Sequence, residues 1–98
     1  MAIIKDMLKE ELERLKQMEQ SYMQKIDSLP KGSIVNKKIN NKNYSYLVYR
    51  NGNKVLTKYI KPEDLDDINK KVLLRNQYKK DLKEIREDMK ITKKVVRM

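Results

Sequence analysis

The chain has no cysteine, histidine, tryptophan or phenylalanine, and only two glycines and two prolines in 98 residues. Without cysteine there is no disulfide framework of the kind that marks small secreted domains. Without cysteine and histidine, the usual zinc ligands, thiol nucleophiles and imidazole acid–base groups are missing. The carboxylates, lysines and tyrosines that remain form no recognisable catalytic set, so the expectation is a non-enzyme with no metal and no cofactor. No apolar run approaches the ~20 residues of a membrane span. The opening Met1-Ala2-Ile3-Ile4-Lys5-Asp6 lacks the basic and apolar regions of a secretory signal. A cytoplasmic location, away from membranes, follows as the expectation.

A further absence is local. Residues 31–61 contain Lys31, Lys37, Lys38, Lys42, Arg50, Lys54, Lys58 and Lys61 and no acid. The flanking segments mix both signs, with five bases against six acids in residues 1–29 and eleven against eight in residues 62–98. The middle third therefore holds most of the net charge of +10. Charged and apolar residues each make up 39%, which suits exposed helices with narrow apolar stripes better than a thick core. One domain spanning residues 1–98 is expected.

The pattern predicts an α+β chain: a long helix, a three-stranded antiparallel meander and a second long helix. In residues 4–29, Ile4, Leu8, Leu12, Leu15, Met18, Tyr22, Ile26 and Leu29 recur every three or four positions, which is one helical stripe. Leu8, Leu15, Tyr22 and Leu29 also keep a seven-residue interval, the spacing of coiled-coil packing. Leu29-Pro30-Lys31-Gly32 ends that helix. Residues 33–60 hold Ile34–Ile39, Tyr44–Tyr49 and Val55–Ile60 as strands, with turns in Asn40–Asn43 and at Asn51-Gly52. Pro62 opens the second helix, 62–91, with Glu63, Asp64, Asp66 and Asp67 in its dipole-favoured first turns. Those acids are helix-start electrostatics in preference to a metal site. Residues 92–98 are expected to fray as a basic tail. Each stripe needs a partner, either in an antiparallel hairpin within the chain or in a dimeric coiled coil, and a homodimer is expected.

Alternation sorts the sheet into two faces. A two-residue turn at Asn51-Gly52 sets Tyr49 opposite Lys54. One face then carries Tyr44, Tyr46, Val48, Val55, Thr57 and Tyr59, and the other Ser45, Leu47, Tyr49, Lys54, Leu56 and Lys58. A two-residue turn at Asn41-Lys42 adds Val35, Lys37 and Ile39 to the first face, and Ile34, Asn36 and Lys38 to the second; a three-residue turn exchanges those sets. The first face has more apolar bulk and is expected to lie on the helices. The second mixes Lys38, Lys54 and Lys58 with Tyr49 and Asn36, the groups that contact phosphates and bases. Arg50, Lys37 and Lys42 complete the candidate nucleic-acid-binding set. The plainer reading is a solvated face whose lysines discourage edge pairing.

Ser28-Leu29-Pro30-Lys31-Gly32-Ser33-Ile34 and Tyr44-Ser45-Tyr46-Leu47-Val48-Tyr49-Arg50 resemble small uncharacterised bacterial and mobile-element proteins that share this turn, a Tyr-rich hairpin and a second helix. That resemblance brings no activity with it. Residues 33–60 are also similar to the three-stranded arm-binding domains of phage and transposon integrases, whose basic sheet enters the DNA major groove. No recombinase catalytic segment accompanies them, so only binding is implied. The expected function is that of a nucleic-acid-binding accessory protein of a phage or mobile element, with DNA or RNA as partner. The alternatives are a protein-binding inhibitor of a host defence system, similar to anti-CRISPR proteins and directed at an effector protein or ribonucleoprotein, and a structural coiled-coil dimer.

Overall fold

A computed structural model describes residues 2–97, with side chains from Ile4 onward. The elements run α1 (Ala2–Asp27), β1 (Ser33–Ile39), β2 (Lys42–Asn51), β3 (Lys54–Ile60), a 3-10 turn (Pro62–Asp64) and α2 (Leu65–Arg97). The α+β order expected from the sequence is therefore observed. The chain divides into two compact units, one joining α1 to α2 from Asn76 onward and the other holding residues 29–75.

In the helical unit the two stripes meet within one chain. Leu15, Ile85 and Met89 are buried together, and Leu12, Met18 and Tyr22 pack against them. Tyr22 meets Tyr78 edge-on at 5.4 Å between ring centroids, and Arg86 donates to Glu19 at 3.0 Å. Residues early in α1 thus lie beside residues late in α2, which is an antiparallel pair. Lys25 sits over both Tyr22 and Tyr78, 5.2 and 5.5 Å from the ring centroids. Arg14 beside Glu11 holds that carboxyl below the usual carboxylate range through a side-chain hydrogen bond. No described side chain is fully buried, so each apolar contact in this thin core carries weight: truncating one to alanine costs about 2–5 kcal/mol.

Both helices have bounds that differ from expectation. α1 ends at Asp27, where Ser28 folds back on the last turn: its N–H donates to the Gln24 carbonyl at 3.1 Å and its hydroxyl to the Lys25 carbonyl at 2.8 Å. α2 runs on past the expected end at residue 91 as far as Arg97. Thr92 donates to the Asp88 carbonyl at 2.8 Å, and Thr92 and Val96 are half-buried; Met98 lies outside the described residues. Pro62 opens the 3-10 turn that precedes α2, and the Asp64 N–H donates to the Lys61 carbonyl at 2.9 Å.

The sheet unit is a meander in the order β1-β2-β3, antiparallel throughout. Both turns contain two residues, but each lies one position away from the expected pair. Asn40 and Asn41 make the first, with φ of 51° and 65°, a left-handed pair that asparagine tolerates better than most residues. Gly52 and Asn53 make the second, with positive φ at Gly52 alone (63°), as a type II′ turn requires. Tyr49 therefore faces Leu56, not Lys54. A shift of one turn position moves the pairing by two residues, which keeps the β2 and β3 side chains on their expected faces and puts Val35, Lys37 and Ile39 of β1 on the first face, the arrangement a two-residue first turn gives.

The face that packs is the opposite of the one expected. Leu47, Ile60 and Val72 form the buried cluster, with Ile34, Tyr49, Leu65 and Ile68 against it. These strand residues belong to the second face, and Leu65, Ile68 and Val72 are the first turns of α2. The tyrosine-rich first face is left uncovered within its unit, and Val35, Ile39, Val55 and Tyr59 on it are exposed.

Candidate nucleic-acid interface

The uncovered face is built by pairing register. Val35 stands opposite Tyr46, Lys37 opposite Tyr44 and Ile39 opposite Lys42; across the other ladder, Tyr46 faces Tyr59, Val48 faces Thr57 and Arg50 faces Val55. Tyr59 is the centre of an aromatic group, 5.8 Å from Tyr46 in an edge arrangement and 6.3 Å from Tyr44 in a tilted one. Such pairs stabilise a sheet by up to about 1 kcal/mol each, while the rings stay partly open to solvent. The Lys37 ammonium lies 5.3 Å from the Tyr46 ring centroid, a cation–π contact that holds a positive charge over the aromatic group. Lys42 and Arg50 lie on the same face toward opposite ends of β2. No acid occurs in residues 29–61, so nothing within the strands neutralises this charge.

The seven candidate residues therefore divide. Lys37, Lys42 and Arg50 share the open face with three tyrosines. Lys38, Lys54 and Lys58 are exposed but project from the side on which the Leu47–Ile60–Val72 cluster packs. Tyr49 is half-buried against that cluster, which corrects its placement among freely presented aromatics: its ring is packing material. Asn36 likewise accepts a hydrogen bond from Ser45 at 2.7 Å on the packed side. Tyr44, Tyr46 and Tyr59, which side-chain bulk alone would place in the core, take the outward role. Strand composition alone does not signal this, because aliphatic residues stand on both faces: Ile34, Leu47, Leu56 and Ile60 on the packed one, Val35, Ile39, Val48 and Val55 on the open one.

Among the described residues no cluster of three or more metal-ligating side chains exists, and no helix is long and apolar enough to cross a membrane. Residues 4–70 match the family described as "Domain of unknown function (DUF6788)". The match covers more than half of the chain, from α1 through the sheet into α2, and the chain belongs to that family. No curated protein and no solved structure matches it.

Proposed function

We propose that this chain is a nucleic-acid-binding accessory protein of a phage or mobile element, cytoplasmic and without catalytic activity, that meets DNA or RNA with the open face of its sheet. The observation that carries the reading is the uncovered face itself: Tyr44, Tyr46 and Tyr59 grouped on it, Lys37, Lys42 and Arg50 around them, and no acid in the strands. The cations neutralise phosphates and release counter-ions. The phenol rings supply stacking or apolar contact to bases and sugars. The likeness of residues 33–60 to integrase arm-binding sheets supplies the mobile-element part.

One observation favours a second reading, a protein-binding inhibitor. Val35, Ile39 and Val55 on the same face are 37%, 46% and 60% exposed, and aliphatic groups suit a protein partner better than a phosphate backbone. Fluorescence anisotropy with labelled 20-nucleotide single strands and duplexes of DNA and RNA separates the two. The nucleic-acid reading requires binding at 50 mM salt that weakens log-linearly as salt rises, and about a tenfold loss for Tyr46→Ala. If none of the four probes binds at 50 mM salt, the reading is wrong and the protein partner takes its place.

A further inference from the structure

The part of α2 in the helical unit carries a second cationic feature, independent of the sheet. Lys79, Lys83, Arg86, Lys90, Lys94 and Arg97 follow one another at spacings of four, three, four, four and three residues. At 3.6 residues per turn these spacings keep all six within roughly 80° of arc, and at 1.5 Å per residue the stripe runs for about 27 Å. All six are exposed. Of the acids on the same part of α2, Asp81, Glu84 and Asp88 fall on the far side of the helix and Glu87 lies near the edge of the stripe. Arg86 donates to Glu19 of α1 at 3.0 Å, which anchors the middle of the stripe beside the helix pair.

We propose that this stripe is a second binding surface, one that tracks the phosphate backbone of double-stranded nucleic acid. Successive cations stand about one helical turn, ~5.4 Å, apart, comparable with the separation of successive phosphates along a strand. The stripe carries no aromatic ring and so has nothing to read a base with. It supplies affinity and register without sequence preference. A basic helix that docks on an anionic membrane also needs an apolar face to insert. Here the adjacent apolar face, Leu82, Ile85 and Met89, is already buried. Ile91 and Val95 are exposed but lie on the arc away from the stripe.

The test is a salt titration of the full chain against a 20-base-pair DNA duplex. The stripe variant carries Lys79→Gln, Lys83→Gln, Lys90→Gln and Lys94→Gln; glutamine keeps helix propensity, and Arg86 is spared because it is paired. A control of equal charge carries Lys5→Gln, Lys9→Gln, Lys16→Gln and Lys70→Gln, with circular dichroism confirming that both are folded. The stripe variant should flatten the log–log salt slope by about 3.6, at 0.9 for each phosphate no longer neutralised, and the control by less than one. Equal flattening, or none in the stripe variant, overturns the proposal. So does binding to phosphatidylserine vesicles that the stripe variant loses while its duplex slope is unchanged. Because the sheet residues are untouched, a Tyr46→Ala effect without a stripe effect, or the reverse, shows which of the two surfaces has failed.

Discussion

Replacing Gly32 with alanine perturbs the turn that leads into the sheet at its tightest point. Gly32 has a φ of +116°, and a Cβ built there would meet the Val48 carbonyl oxygen at 2.3 Å and the Tyr49 Cβ at 2.9 Å. The conformation alone costs an L residue about 1–3 kcal/mol. The overlap adds a comparable amount, because the carbonyl cannot retreat freely: Val48 sits in the middle strand, paired with Ser33 and Thr57. Together these predict a destabilisation of about 3–5 kcal/mol. Gly52 is the internal control. Its φ is +63° and nothing lies within 4 Å of the added Cβ, so Gly52→Ala should cost the conformational share alone, about 1–3 kcal/mol. Urea unfolding followed by circular dichroism measures the difference, and hydrogen exchange of the β2 amides localises it. If Gly32→Ala costs no more than Gly52→Ala, the close approach of the Leu-Pro-Lys-Gly turn to β2 is not what fixes the sheet.

In the helical unit, Ile85→Ala should destabilise by about 2–5 kcal/mol, while Ile91→Ala, at a position 59% exposed, should stay within ~0.5 kcal/mol in the same urea assay. The exposed helix residues Ile91 and Val95 predict self-association away from the sheet, so light scattering at tens of micromolar should give about twice 11.8 kDa. A species of single-chain mass would show that the intrachain helix pair satisfies the stripes unaided. The purified protein should neither cut nor join nucleic acid, with or without magnesium; strand cleavage abolished by Glu63→Ala or Asp64→Ala would refute that.

Element types and face membership are legible in the sequence because they rest on local chemistry. Leu8, Leu12, Leu15 and Tyr22 repeat with a helical period, Pro62 marks a helix start, and alternation along Tyr44–Tyr49 assigns each side chain to a side. The identity of the packed side is not legible by bulk. Three tyrosines outweigh Ile34, Leu47 and Ile60 in volume and aliphatic residues stand on both faces, yet Ile60 leads directly into the turn that starts α2. The first turns of that helix, Leu65, Ile68 and Val72, pack on the side to which Ile60 points. Turn positions escape the sequence for a related reason. Asn-Asn and Gly-Asn accept positive φ as readily as the neighbouring pairs, and the ladder, not the turn residues, decides among them. The charge asymmetry is plain in the sequence, but the cationic stripe on α2 is hidden by the acids interleaved with it and emerges only when the helix is wound to Arg97.

The open sheet face is tested most directly by two triple variants of equal charge. One carries Lys37→Ser, Lys42→Ser and Arg50→Ser on the open side; the other carries Lys38→Ser, Lys54→Ser and Lys58→Ser on the packed side. All six residues are exposed, so neither triple should change stability by more than ~0.5 kcal/mol per site. Titrated against the tightest-binding 20-nucleotide probe, the open-side triple should flatten the log–log salt slope by about 2.7 on a duplex, or about 2.1 on a single strand, and the packed-side triple by less than one. Equal slopes for the two triples, or a larger effect from the packed-side lysines, would contradict the assignment of the tyrosine face as the binding surface.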